Sequence, residues 1–141
     1  MAVNPLVGSW RLVSFHNESS EGSVTYPWGK EVAGYITYTD WGRMAVVFQK
    51  GDRPRSSSGD LWRRTPQEKA EAYDTCIAYS GTYDVQGNQV IHHVEVCTFE
   101  DWVGTDLVRA VKLEGNRVTL TTPPTPFGSG TAVAVLVWER A

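Results

Sequence analysis

The turns of this chain constrain it more than any other feature. In Val85-Gln86-Gly87-Asn88-Gln89-Val90, a two-residue Gly-Asn turn sits between runs rich in β-formers, the pattern of a tight hairpin. Such a turn fixes partners. Gln86 faces Gln89, so Val85 faces Val90, Tyr83 faces His92, Gly81 faces Val94 and Tyr79 faces Val96. Side chains alternate with period 2, which puts these residues on one face and Ser80, Thr82, Asp84, His93 and Glu95 on the other. The first face is apolar and reads as interior; the second reads as a wet exterior.

Gly115-Asn116 repeats the device between Glu114 and Arg117. It sets Leu113 against Val118, Val111 against Leu120 and Arg109 against Thr122, leaving Thr119 and Thr121 outside. Asp40-Trp41-Gly42 reads as a three-residue loop with glycine in the left-handed position. Tyr38 then opposes Met44, Ile36 opposes Val46 and Gly34 opposes Phe48. Three turns yield three inner faces that agree with one another, and that agreement supports the register.

Further runs of the same kind cover 7–18, 33–39, 43–50, 79–86, 89–98, 106–114, 117–122 and 131–139, with a weaker one near 23–28. Six Trp, six Tyr, four Phe and 13 Gly in 141 residues suit many short strands joined by tight turns. Eight or nine consecutive strands with short links describe an all-β fold, a sandwich or an up-and-down barrel, within one domain over 1–141. Thr65-Pro66-Gln67-Glu68 is a capping box with proline at the first helical position. With Ala70, Tyr73 and Ile77 at three- and four-residue spacing, it predicts one helix over about 66–77, packed on one end of the sheet.

Several classes are excluded. No apolar run approaches the roughly 20 residues of a membrane-spanning helix. A net charge of −3 is not the basic field of a nucleic-acid binder. The first residues lack the charged and apolar regions of a secretory signal, and two cysteines, Cys76 and Cys97, make no disulfide framework. The expected setting is therefore cytoplasmic, with both cysteines as small core residues and the Asn17-Glu18-Ser19 sequon inert. There is no phosphate-binding glycine loop, no Gly-x-Ser-x-Gly elbow and no His-x-His or His-x-x-x-His metal spacing. His92 and His93 point to opposite faces of a strand, a poor chelate. No metal and no cofactor are expected.

Gly8-Ser9-Trp10 near the start and Trp138-Glu139-Arg140 at the end resemble the Gly-x-Trp and closing-arginine signature of lipocalin-type barrels. Further blocks follow in order: Tyr26-Pro27-Trp28-Gly29, Tyr38-Thr39-Asp40-Trp41-Gly42-Arg43-Met44, Ala78-Tyr79-Ser80-Gly81-Thr82-Tyr83, His92-His93-Val94-Glu95 and Trp102-Val103-Gly104-Thr105. Together they resemble the small bacterial and fungal lipocalin-like domain proteins over about 6–140. That resemblance implies a closed, lipocalin-like antiparallel barrel whose Trp10 plugs one end under Arg140. It also implies an internal pocket for a small, largely apolar molecule, in proteins often associated with specialised metabolism. Fold alone does not name the molecule.

The inner face is mostly filler: Ile36, Val46, Val90, Val94, Val96, Val111, Leu113, Val118 and Leu120. The interruptions carry the information. His92 lies beside Tyr83 and diagonal to Arg109 if Val94 opposes Arg109. An arginine on an apolar face needs a counter-charge. Glu31, Asp106 or a bound ligand would supply it, and a structural ion pair and a ligand-orienting role both stay open. His92 with Tyr83 would serve as an acid/base pair, with Arg109 stabilising charge; a core histidine bonded to a backbone carbonyl is the alternative. Tyr38, Met44 and Phe48 suit a pocket wall or an ordinary core, and Trp28, Trp41, Trp62 and Trp102 are candidate rim or lid residues. Segment 50–64 carries Lys50, Arg53, Arg55, Arg63 and Arg64, and reads either as a solvated loop or as a lid attracting an anionic group.

Three functions follow as expectations. The first is a barrel that binds a small apolar or aromatic metabolite. The second is a cofactor-independent cyclase, isomerase or lyase acting on a polyketide- or terpene-like substrate in the same cavity. The third is a module for a protein partner at the 50–64 loop. An exposed aromatic rim would suit a homodimer as well as a ligand.

Overall fold

The computed structural model describes residues 4–127 and 130–141. Its strands are β1 (Gly8–Ser19), β2 (Val24–Thr25), β3 (Val32–Tyr38), β4 (Arg43–Lys50), β5 (Cys76–Gln86), β6 (Gln89–Cys97), β7 (Asp106–Glu114), β8 (Arg117–Thr121), β9 (Thr125–Phe127) and β10 (Gly130–Arg140). One helix, α1 (Pro66–Asp74), precedes β5. Neighbouring strands pair antiparallel in the order β2-β1-β3-β4-β5-β6-β7-β8-β10-β9, and β1 also pairs with β10. That last pairing closes the sheet. Eight strands (β1, β3 to β8 and β10) form a lipocalin-like barrel, with β2 and β9 as short additions to β1 and β10.

The three turns set the register their residues require. Gln86 pairs with Gln89, Glu114 with Arg117 and Tyr38 with Met44. Gly42, Gly87 and Gly115 hold φ of 91°, 60° and 60°, left-handed values that exclude most side chains. The cross-strand pairs follow as expected through Ile36–Val46, Gly34–Phe48, Tyr83–His92, Gly81–Val94, Leu113–Val118 and Val111–Leu120.

Four details differ from the sequence reading. A bulge between Ser80 and Gly81 shifts the β5–β6 register, so Tyr79 pairs with Cys97 rather than Val96. Val96 therefore points outward and is 60% exposed. Leu113, near a turn tip, is exposed too and is not core filler. Arg109 opposes Val90, not Val94, because β6 and β7 pair only over 89–93 and 106–110. Beyond that pairing the chain turns through Trp102 and returns Thr105 O to Val94 N at 3.0 Å. The helix is also shorter than expected. Its capping box forms at Thr65 and Glu68, but Thr75 ends it, Ile77 belongs to β5, and Tyr73 is exposed. The helical spacing of Ile77 gave way to the demand of β4 for a partner strand, since Phe48 pairs with Ile77.

Trp10 closes one end of the barrel. It is fully buried, donates from Nε1 to Leu6 O at 2.9 Å, and lies under Arg140, whose Cζ is 3.9 Å from the ring centroid. Arg140 also donates to Val7 O and Pro5 O, both at 2.7 Å, tying the incoming chain to the last strand. The opposite end is framed by Trp28, Phe15 and Phe48, whose rings meet at 5.1–5.9 Å. Trp28 Nε1 donates to Asp74 O at 2.9 Å, which pins the end of α1 over this mouth.

Candidate functional site

Between these ends lies a cavity of about 100 Å³. Phe15, Ile36, Val46, Phe48, Ile77, Leu120, Ala134, Leu136, Trp102 and Trp138 give it an apolar and aromatic wall. Tyr79, His92, Arg109 and Thr122 interrupt that wall. Each polar group arrives by strand parity: Tyr79 from β5, His92 from β6 and Arg109 from β7.

His92 is 1% exposed and held from both sides. Tyr38 Oη lies 2.7 Å from Nε2, and Tyr79 Oη lies 2.8 Å from Nδ1. Burial pushes the His92 pKa down to about 3, and the positive charge of Arg109 adds to the shift. The ring is therefore neutral at physiological pH, with one nitrogen donating and the other accepting. Burial also raises both tyrosines, Tyr79 to about 12 and Tyr38 well above its ordinary value, so both keep their protons.

The tautomer follows from counting acceptors. Tyr38 is 1% exposed, and His92 Nε2 is its hydroxyl's one hydrogen-bond partner among the described residues. If Nε2 carried the proton, the Tyr38 O–H would be buried without an acceptor, at a cost of about 1–3 kcal/mol. The Tyr79 hydroxyl likewise has only His92 as partner among the described residues, but it lines the cavity, where water or a ligand can accept its proton, and Tyr38 does not. On that ground Tyr38 is assigned as donor to Nε2, and Nδ1–H as donor to Tyr79 Oη. This leaves the Tyr79 O–H free to donate.

Arg109 Nη1 donates to Val108 O at 3.0 Å. Among the described residues no carboxylate lies within 4.0 Å of its guanidinium. Asp106, one of the expected partners, binds His93 on the outer face instead, at 2.6 Å. The Nε1–H of Trp138, a cavity-wall residue 1% exposed, is buried with no partner among the described residues. The cavity is thus rich in donors, poor in acceptors and free of carboxylates.

The sequence profile of the lipocalin-like domain family matches residues 7–141. The chain belongs to that family. As a lipocalin-like protein it is similar to the 4'-hydroxy-3'-methoxypropiophenone carrier protein ppsC of Aspergillus oryzae. The two are 28% identical over 87 residues, spanning 56% of this chain and 78% of that protein. Its fold is similar to the crystal structure of a lipocalin-like protein from Bacteroides uniformis, with a TM-score of 0.51 and 12% identity, covering 98% of this chain and all of the other.

In this lipocalin-like barrel the residues singled out from sequence separate. His92, Arg109, Phe48 and Trp102 line the cavity, and Tyr38 stands behind His92. Trp28 packs on Phe15 and Phe48 at the mouth. Met44 is buried but does not line the cavity. Tyr83 pairs with His92 in the ladder, yet its hydroxyl turns away, donating to Thr39 O at 2.6 Å and accepting from Asn4 Nδ2 at 2.8 Å. It touches the relay only through its ring, 4.8 Å from that of Tyr38. Trp41 is 75% exposed in the β3–β4 turn, at the end Trp10 closes, so it is no rim residue of this cavity. Trp62, 84% exposed on the loop before α1, does not reach the cavity either.

Tyr79 was missed. Parity had placed it on the inner face, but the hydroxyl nearest the histidine was sought directly across the ladder. Tyr79, four residues back along β5 with Gly81 between, reaches Nδ1 instead.

Proposed function

We propose that this chain binds a small, largely apolar or aromatic metabolite in the barrel cavity, in the cytoplasm and in the service of specialised metabolism. One observation carries the reading: an apolar cavity holds a guanidinium with no carboxylate partner among the described residues. A half-buried cation in such a wall still favours an opposite charge or strong acceptors, and a ligand would bring them. The fungal relative named as a carrier of a phenolic aryl ketone supports the same direction. The cavity of about 100 Å³ is smaller than the roughly 150 Å³ of engineered cavities that accept benzene, so at most one aromatic ring enters it, with some yielding of the wall.

The experiment is a titration with single-ring phenols and aryl ketones, followed by tryptophan fluorescence. Saturable change in the wild type, lost in Ala134→Phe, which fills the cavity, is the expected result. A response equal in both proteins, or none in either, would overturn the reading.

The Tyr38–His92–Tyr79 relay favours a second reading, a cofactor-independent cyclase or isomerase. Tyr79 would pass its proton to a substrate oxygen beside Arg109 and recover one from His92 Nδ1, while Tyr38 protonates Nε2. The negative charge would then rest on Tyr38, where burial strongly disfavours it. Binding without chemistry therefore ranks first. Loss of turnover in Tyr79→Phe, with binding retained, would reverse that order.

A further inference from the structure

We propose that Tyr79 and Arg109 form a clamp for an oxyanion carried on the ligand's aromatic ring. This rests on the cavity-binding reading and names the ligand's recognition group. The clamp follows from the direction of the hydrogen bonds. Tyr38 donates to His92 Nε2, so Nδ1–H donates to Tyr79 Oη, and the tyrosine hydroxyl keeps a proton to give. Tyr79 and Arg109 line the same cavity, whose wall includes no carboxylate among the described residues. Trp138 lines it as well, with an indole N–H that is buried and unpartnered among the described residues.

The Tyr79 hydroxyl and the Arg109 guanidinium, two donors beside an apolar space, are complementary to an acceptor, and the guanidinium selects one that bears negative charge. The size of the cavity restricts the rest of the molecule to about one ring, walled by Phe15, Phe48 and Trp102. A phenolate and an aromatic carboxylate both meet this description. Tyr38 and His92 do not touch the ligand oxygen in this scheme. They are positioning residues that fix which way Tyr79 donates.

The test uses 4-nitrophenol, whose phenolate absorbs visibly and whose phenol does not. The clamp stabilises the phenolate, so bound probe is expected to ionise at a pH at least about one unit lower than free probe, a tenfold preference. Its neutral isostere, 4-nitrotoluene, should bind at least about tenfold more weakly than the phenolate. Arg109→Met should abolish the preference, and Tyr79→Phe should reduce it severalfold. Displacement of the probe by benzoate would extend the clamp to carboxylates, and failure to displace would restrict it to phenols.

Equal binding of 4-nitrophenolate and 4-nitrotoluene, or an unshifted or raised ionisation of bound probe, would overturn the clamp while leaving cavity binding intact. If neither compound binds, both readings fall. The ionisation of the wild-type complex requires no variant to fold.

Discussion

Tyr38 Oη lies 2.7 Å from Nε2 of His92, a contact across 54 residues of sequence between two side chains that are each 1% exposed. Because water cannot replace either partner, the bond contributes both to stability and to the orientation of the site. Tyr38→Phe leaves a buried imidazole nitrogen unpaired and is expected to cost about 1–3 kcal/mol. Tyr83→Phe, whose hydroxyl reaches the more accessible Thr39 and Asn4, should cost about 1 kcal/mol. Urea unfolding of the two variants gives the comparison.

Adjacent histidines should respond to pH in opposite directions. Burial holds His92 at about 3, below the ordinary 6.5 of an unfolded histidine. Between those values the unfolded chain binds more protons, so the His92 contribution is complete above pH 6.5 and is lost as pH falls toward 3. His93, on the outer face, bonds Asp106 at 2.6 Å and Asp84 at 2.7 Å, and these hydrogen bonds raise its pKa. Its contribution is complete below pH 6.5 and is lost as pH rises through the raised value. In an NMR titration, the His93 ring protons should titrate above pH 6.5 and those of His92 should not move between pH 8 and 5.

At the closed end, Arg140→Lys should destabilise by about 1–2 kcal/mol. It forfeits the stacking on Trp10 and one of the two backbone contacts to Val7 and Pro5. Trp10→Ala should cost about 3–5 kcal/mol, the range for emptying a core aromatic site. Thermal unfolding distinguishes the two. A smaller loss for Trp10→Ala than for Arg140→Lys would contradict the plug.

Gly81 packs directly against the β6 backbone, and a Cβ there would collide with His93 O. The clash is with backbone, so no side-chain rotation relieves it. Gly81→Ala should therefore displace the β6 bulge beside it. We expect a loss of several kcal/mol in urea unfolding, the range of overpacked and strained positions.

The strand order, the three turns and the closed end were legible because glycine geometry and period-2 alternation are local properties that residues declare directly. Gly42, Gly87 and Gly115 each fixed a register. The β5–β6 bulge was not legible. It arises from close approach of two strands at Gly81, and no residue in β6 announces that an extra one is accommodated there. One residue of slip turned Val96 outward while Tyr79 kept its inward parity, so the site was half visible. His92 and Arg109 stood out against an apolar face, while the hydroxyls that hold His92 depended on a register that no turn sets. The helix end was misread for a related reason. Ile77 fits a helical stripe, but pairing with Phe48 across β4 buries it better.

The most direct test of ligand binding in the cavity is the indole N–H resonance of Trp138 during titration with 4-hydroxypropiophenone, a single-ring phenolic ketone. Trp138 lies in the cavity wall with its N–H unpartnered among the described residues, whereas Trp41 and Trp62 are exposed and outside it. The account predicts a saturable shift of Trp138, together with the Arg109 side-chain signals, and no change at Trp41 or Trp62. A shift confined to Trp62 and its loop, with Trp138 unmoved, would contradict it.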